Sequence, residues 1–131
     1  MAILPRERQQ NFSKQEVLCQ AVSLNPNATT STVTQATNRS TGVTLNTTCG
    51  QITTDTTSLA AAAEATFVVT NNKVTAKTVP VVAIASGAVA TPIAFVSAVA
   101  AGQFSITISN LHASTGETGA LVINFALLGV E

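Results

Sequence analysis

Few residues of this chain carry chemically reactive side chains, and those that do stand apart in the sequence. His112 is the only histidine, and the acid nearest to it is Glu117, in the same predicted turn. A catalytic histidine would need an orienting acid and a nucleophile beside it, and we favour a structural role for His112 in its turn. Asp55 and Glu64 would form a carboxylate pair, but no glycosidase-like context surrounds them. We therefore interpret these residues as structural or solvated groups of turns and loops.

The cysteines and the central lysines also have simple interpretations. Cys19 and Cys49 show no CxxC spacing and no neighbouring histidine, so zinc or redox chemistry is not expected. We interpret them as small buried or half-buried thiols, and a disulfide between them stays open. Lys73 and Lys77 flank Val74 and are expected to protect a sheet edge against pairing with another chain.

The motifs of the common enzyme families are missing from the sequence. It has no Gly-rich phosphate loop, no GxSxG and no HExxH. We therefore predict a protein that is not an enzyme, with no catalytic residue, no metal site and no cofactor.

Composition narrows the class of protein further. The chain has 131 residues, which is enough for one domain. Charged residues make up 9% of it, against roughly 25% in an average globular protein, and the formal net charge is zero. A nucleic-acid binder needs Lys and Arg to neutralise phosphates, so no nucleic-acid partner is expected. An apolar fraction of 46% is too high for an intrinsically disordered chain.

Two further features bear on targeting and on membranes. The first residues carry charges, but no apolar stretch typical of a secretory signal follows them. The longest apolar region, residues 79–101, is interrupted by prolines, a glycine and hydroxyl residues. A membrane helix needs about 20 predominantly apolar residues. We interpret this region as strands and turns, and no membrane partner is expected.

The N-terminal part, residues 1–34, is predicted to be an attachment arm that contains a short helix. Ser13 and Glu16 fit a capping box, and Asn25 with Pro26 would end the helix. Between them four apolar residues share one helical face: Val17, Leu18, Ala21 and Val22. A helix of about ten residues is marginal alone in water, so this one needs a surface on which to pack.

Residues 35–131 are predicted to form a β-sandwich that oligomerises. Eight candidate strands fall at about residues 33–36, 41–46, 50–54, 64–71, 78–85, 92–98, 103–110 and 120–128. Their number and spacing predict an all-β, antiparallel, jelly-roll-like sandwich. Residues 58–63 interrupt the pattern, either as one helical turn capped by Ser58 or as a loop on the sheet edge.

Alternation within the strands predicts the core and the outer surface. Along residues 103–109 the apolar side chains should face inward, and Ser105, Thr107 and Ser109 should face outward. The predicted core consists of Phe67, Phe104, Ile106, Ile108, Ile123 and Phe125.

Two predicted strands, at residues 79–84 and 120–128, are apolar on both faces and so need a second cover. That cover is either the rest of the domain or another subunit. We favour a homo-oligomer with the last strand near its axis. The interface would then consist of Leu121, Val122, Ile123, Phe125, Leu127 and Leu128.

Five segments of the β-region carry a family resemblance: Val33–Asn46, Gly50–Thr54, Ala63–Asn71, Ala98–Ile106 and Ala120–Ala126. Together, and in this order, they resemble a module of tailed-bacteriophage virion proteins of the capsid-decoration, cement or head-fibre type. The resemblance covers about residues 33–131. It implies a β-rich, trimeric knob on the particle exterior. Related modules serve on tails as well, and the arm lies outside the resemblance.

Two functions are compatible with this resemblance. In the first, a homotrimer decorates or cements the capsid surface of the virion after synthesis in the host cytoplasm. Its partner is the major capsid protein, bound through apolar and basic residues of the arm: Ile3, Leu4, Arg6, Arg8, Phe12 and Lys14. In the second, the same knob sits on a tail fibre or tail tip and contacts the host surface through its outer turns. The absence of Trp and Tyr argues against a carbohydrate site there.

Overall fold

Eight β-strands build the part of the chain that the structure, a computed structural model, describes, namely residues 31–129. Each predicted strand has a counterpart within a few residues, because the alternating segments bury one face and the turn residues between them end the pairing. The strands are β1 (Thr32–Thr34), β2 (Val43–Thr44), β3 (Cys49–Thr53), β4 (Glu64–Thr70), β5 (Val79–Ser86), β6 (Pro92–Ala100), β7 (Gln103–Asn110) and β8 (Val122–Leu128). No helix occurs between residues 31 and 129.

The strands form two four-stranded sheets, which is consistent with the predicted all-β sandwich. Sheet I has the order β1-β3-β8-β5, and sheet II has the order β2-β4-β7-β6. The two edge strands β5 and β6 follow one another in the chain but belong to different sheets.

The prediction of a purely antiparallel arrangement is wrong for two strand pairs. β1 runs parallel to β3, and β2 runs parallel to β4. The physical reason lies in the connections: the chain passes through β2 of sheet II between β1 and β3, and through β3 of sheet I between β2 and β4. Each pair is therefore joined by a crossover, which permits parallel pairing, and not by a hairpin. These strand orders do not confirm a jelly roll.

The core lies between the inner faces of the two sheets. All six residues of the predicted core are buried, and Phe104 of β7 packs on Phe125 of β8 with ring centroids 5.6 Å apart and a tilt of 56°. This aromatic pair joins sheet II to sheet I across the centre of the molecule. Ile52, Val69 and Leu121 are buried beside these residues.

The outer face of β7 differs from the prediction, since Thr107 and Ser109 are buried. β7 is a central strand, and its cross-strand neighbours on this face include Phe95, opposite Thr107, and Ile93, opposite Ser109. Directly opposed side chains of a sheet lie close together, so these larger neighbours cover the small hydroxyl residues. The buried Thr107 hydroxyl forms hydrogen bonds with the hydroxyls of Thr66 and Ser97, at 2.8 and 2.9 Å.

Residues 58–63 form a loop with one turn, as the second interpretation of this segment expected. Leu59 is buried and bridges to Glu117 as an isolated antiparallel pair. Ala62 adopts a positive φ of 58°, in the left-handed region.

At its N-terminal end the sandwich extends further than predicted. Strand β1 belongs to sheet I, so residues 32–34 are part of the sandwich and not of the arm. The predicted helix and the six arm residues from Ile3 to Lys14 lie outside the described residues. Within residues 31–129, no helix is long and apolar enough to cross a membrane.

Candidate functional site

The most concentrated polar chemistry of the sandwich surrounds Arg39, in the turn between β1 and β2. Its side chain is only 3% exposed. The guanidinium Nε donates to the carbonyl of Thr57 at 2.6 Å, and Nη1 donates to the Thr54 hydroxyl at 3.0 Å. Nη2 donates to the carbonyls of Glu117 and Gly119 at 3.1 and 2.8 Å. One arginine thus ties three loops together at one end of the sandwich.

Glu117 is the second member of this network, and it is fully buried. Its carboxylate accepts hydrogen bonds from the backbone amides of Val89, at 3.1 Å, and Ala90, at 2.8 Å. It also accepts the amide of Gly119 at 2.7 Å. The carboxylate therefore pins the β5–β6 loop, residues 87–91, against the loop that precedes β8.

Backbone packing brings these two loops close enough for the network to form. Gly87 has a φ of +88°, and a Cβ added to it would overlap the backbone of Ala120. A Cβ added to Gly119 would in turn overlap the carbonyl oxygen of Gly87. Only glycine permits this close approach of the two backbones. The approach places the amides of Val89 and Ala90 within hydrogen-bond distance of the Glu117 carboxylate.

Gln35 and Thr54 extend the network toward sheet I. The Gln35 side-chain amide donates to the carbonyls of Arg39 and Thr41 at 3.1 and 2.8 Å and accepts the amide of Asp55 at 3.2 Å. The Thr54 hydroxyl, which accepts from Arg39, also accepts the amide of Leu121 at 3.0 Å. Buried polar groups that are satisfied in this way hold a single arrangement of the loops.

Burial and hydrogen bonding act in opposite directions on the ionisation of these groups. Desolvation alone would raise the pKa of Glu117, but hydrogen bonds from the amides of Ala90, Gly119 and Val89 and the charge of Arg39 outweigh it. The pKa of Glu117 is therefore lower than usual, and the carboxylate is ionised at neutral pH. Desolvation lowers the pKa of Arg39, and the charges of Glu117 and Asp55 oppose that shift.

The arrangement of these groups supports a structural role for the network. The arginine donates to four acceptors that belong to the protein itself, and the carboxylate accepts three backbone amides. Both side chains are buried, at 3% and 0% exposure. We therefore assign Arg39 and Glu117 to loop positioning.

His112 and the other predicted turn residues do not assemble into a site. The His112 Nδ1 accepts the amides of Ser114 and Thr115, at 3.2 and 2.9 Å, so it orders its own turn. Asp55 accepts both the amide and the hydroxyl of Thr57. These hydrogen bonds, with a small charge contribution from Arg39, lower the pKa of Asp55.

Asn110, which sequence reasoning did not single out, closes the loops near His112. It is fully buried. Its side-chain amide donates to the carbonyls of Leu59, Ala60 and Thr115, at 3.1, 3.2 and 2.8 Å. Its side-chain Oδ1 accepts the backbone amide of His112 at 3.1 Å.

The remaining candidates of the sequence analysis fall at separate places. Glu64 is exposed at the start of β4. Lys73 and Lys77 are exposed in the turns between β4 and β5, so they do not protect a strand edge as expected. Cys49 is free and half-buried at the start of β3, and Cys19 lies outside the described residues. Among residues 31–129, no group of three or more potential metal ligands comes together.

The predicted oligomer interface on β8 is divided by the structure. Leu121, Ile123, Phe125 and Leu127 are buried inside the subunit, so their side chains have no surface left to offer a second copy. These four residues therefore do not belong to the interface as predicted, because the side chains of β8 point alternately to the core and to the outer face and these four point to the core. Val122 and Leu128 face outward and are half-buried.

Most of the exposed large apolar side chains lie instead on β5, on β6 and on the loop between these strands, and Leu111 after β7 is exposed as well. Val79 and Val81 of β5 are 58% and 50% exposed on the outer face of sheet I. Ile93 and Phe95 of β6 are 43% and 40% exposed on the outer face of sheet II. The β5–β6 loop adds Val89, which is 63% exposed.

Sequence reasoning missed the Arg39–Glu117 network because neither residue has a chemical partner near it in the sequence. A weak signal was present in the sequence, since each is a lone charged residue in a charge-poor region, and Glu117 stands between Gly116 and Gly119.

No protein-family model, no curated protein and no solved structure matches this chain.

Proposed function

We propose that this chain is a structural virion protein of a tailed bacteriophage that decorates or cements the capsid exterior. It acts as a homotrimer whose N-terminal arm binds the major capsid protein. The resemblance of residues 33–131 to virion surface modules supports this role. The proposal also includes two structural features: a jelly-roll-like arrangement of the sandwich strands and a short helix in the arm.

The observation that carries the proposal is the apolar outer edge of sheet II. Ile93 and Phe95 of β6 are large and exposed. Leu111, whose amide donates to the Thr91 carbonyl at 3.0 Å, is 58% exposed and continues the surface beyond β7. Exposed apolar clusters on soluble proteins mark interaction sites, and aromatic residues are enriched in interfaces. We therefore place the contact between subunits on this edge, in place of β8.

The rigid loop network supports a structural rather than a catalytic role. Arg39 and Glu117 are the charged side chains that are buried within residues 31–129, and both hold loops. A module that stays on the outside of a particle benefits from loops that keep one conformation, because buried and satisfied networks resist local opening.

The arm supplies the chemistry for attachment. Arg6, Arg8 and Lys14 lie close in sequence to Ile3, Leu4 and Phe12. Arginine beside apolar anchors is typical of interface hot spots. Several arms from one oligomer would bind with avidity, so each arm can be weak alone.

The test compares charge reversal in the arm with charge reversal in the sandwich. The full chain carrying Arg6→Glu and Arg8→Glu is mixed with phage particles that lack this protein, and bound protein is measured by sedimentation. We expect attachment to be lost, whereas the matched control with Lys73→Glu and Lys77→Glu attaches as the unchanged chain does. Equal attachment of both variants would show that the arm is not the anchor.

The alternative is a tail-fibre or tail-tip module that contacts the host surface. One observation favours it: Glu117 pins the β5–β6 loop, and this rigid loop presents Val89 to solvent. Copy number separates the two functions. Quantitative mass spectrometry of purified virions should find copies in numbers comparable to the capsid subunits for a decoration protein, and only a few for a tail module.

A further inference from the structure

One end of the outer face of sheet I is apolar and uncharged. The register places Cys49 of β3, Ala126 of β8 and Val81 of β5 side by side in one row. Leu128 and Val79 form the next row. We call these five residues the apolar end of sheet I. Val79 and Val81 are half exposed or more, and the other three are half-buried.

The rest of this face is mostly polar, although Ala83 of β5 and Val122 of β8 also lie on it. The row next to the apolar end contains Thr32, Gln51 and Asn124, and the Gln51 side-chain amide donates to the side-chain Oδ1 of Asn124 at 2.9 Å. A solvated face needs no cover at these positions. The apolar end, by contrast, presents valine side chains to water and is the part of the face that would gain from a partner.

Strand β1 begins beside the apolar end. Thr32 pairs with Gln51, and the backbone amide of Gln51 donates to the carbonyl of Ser31 at 3.0 Å. Because β1 runs parallel to β3, both strands begin on the side of the sheet where Cys49 lies. Ser31 therefore lies at the corner of the sheet from which the apolar end extends.

The length of the arm fits this surface. Six residues, 26 to 31, would link the helix to β1, and they can span up to roughly 20 Å when extended. The distance from β1 to β5 is three strand spacings, or about 14 Å. A ten-residue helix is about 15 Å long, so the predicted helix can lie across the four strands, with ample chain left to reach it.

We propose that the segment between Ser13 and Asn25 packs as a helix on the apolar end of sheet I of the same chain. Its apolar face, Val17, Leu18, Ala21 and Val22, covers Val79, Val81, Ala126 and Leu128 and shields Cys49. The neutral helix face and the uncharged sheet surface match, since no ion has to be desolvated. The first residues of the arm remain free for a partner, and the packing does not depend on the virion role.

Alkylation of Cys49 tests the proposal in the full chain, with Cys19→Ser so that one thiol remains. We measure the rate at which a maleimide labels Cys49 under native conditions. Leu18→Asp puts a charge into the helix face and should raise this rate several-fold. The matched control is Gln20→Asp, on the opposite side of the predicted helix, which should leave the rate unchanged.

Cross-linking of the two native cysteines gives the second measurement. A bis-maleimide long enough to reach round the helix, about 15 Å, added to the unchanged chain should join Cys19 to Cys49 within one chain, and Leu18→Asp should reduce the yield of this product. Equal labelling rates for Leu18→Asp and Gln20→Asp would overturn the proposal. A product that joins two chains, or Cys49 protection that depends on protein concentration, would also overturn it, because another copy would then be the cover.

Discussion

The guanidinium of Arg39 donates to the backbone carbonyl of Glu117 at 3.1 Å, while the Glu117 carboxylate accepts amides of the β5–β6 loop. The side chains of Arg39 and Glu117 thus each bond to backbone groups, and the bond from Arg39 to Glu117 joins segments that lie 78 residues apart in the sequence. Removal of either side chain leaves buried backbone groups without partners. This relationship makes the loop end of the sandwich dependent on two residues.

Arg39→Ala should lower the free energy of unfolding by about 3–5 kcal/mol, the range for removing one partner from a buried charged network. The physical reason is that the carbonyls of Thr57 and Gly119 lose their donors in a buried environment. Urea denaturation of the variant at neutral pH measures the loss. Lys73→Ala removes an exposed cation and serves as the control, with an expected change within about 0.5 kcal/mol. A comparable loss in both variants would contradict the role of Arg39.

Glu117 should make the protein less stable in acid. Although desolvation acts to raise it, hydrogen bonds from the amides of Ala90, Gly119 and Val89 hold the pKa of Glu117 in the folded state below that of the unfolded chain. The stabilisation is therefore complete above the unfolded pKa and is lost as the pH falls through the folded pKa. We expect this contribution to the free energy of unfolding to be constant near neutral pH and to fall as the pH drops below the unfolded pKa of a glutamate, as measured by urea denaturation at a series of pH values.

Two variants separate the sources of this acid sensitivity. Glu117→Gln should be less stable at neutral pH and show a flatter dependence on pH. Asp55, whose pKa is lowered by its hydrogen bonds with Thr57, acts with the same sign, so Asp55→Asn should remove a separate part of the slope. An unchanged slope in Glu117→Gln would show that its carboxylate is not the titrating group.

Phe104→Ala should cost about 3–5 kcal/mol, because it removes a buried ring and leaves a cavity. The ring packs on Phe125 between the two sheets, so both lose a contact. Val89→Ala is the control, since Val89 of the β5–β6 loop is 63% exposed and its truncation should cost only about 0.5 kcal/mol. Denaturant melts of both variants decide this, and a loss below 1 kcal/mol for Phe104→Ala would be inconsistent with its position in the core.

Ala62→Gly should stabilise the protein by up to about 1 kcal/mol. Ala62 has a φ of 58°, and the left-handed conformation costs a residue with a Cβ about 1–2 kcal/mol, which exceeds the entropy that glycine adds to the unfolded chain. Thermal unfolding measures the change. Ala60→Gly in the same loop does not relieve a positive φ and should not stabilise, so a gain in both variants would point to a cause other than φ.

Ile93→Asp should dissociate the proposed oligomer without unfolding the subunit. The side chain lies on the outer face of β6 and is 43% exposed, so a charge is tolerated in the free subunit but not in a dry interface. Light scattering reports the mass, and circular dichroism checks the fold. Thr70→Asp, at the exposed far end of β4 in the same sheet, is the control. A monomer before any substitution would refute the trimer itself.

Local sequence determined the strands and most of the core. Alternation along residues 103–108 and 64–69 placed Phe104, Ile106 and Phe67 inside, because the side chains of a strand point to opposite faces with a period of two. The eight strand positions follow from the same period and from the turn residues between them.

Tertiary structure alone decided which strands are neighbours and which polar residues are buried. The parallel pairing of β1 with β3, the cover over Thr107 and the burial of Leu127 inside the subunit all depend on strands distant in sequence. The Arg39–Glu117 network depends on the close approach of Gly87 to Gly119. A periodic pattern describes one segment at a time and carries no information about its neighbours, so these features arise only when the two sheets pack.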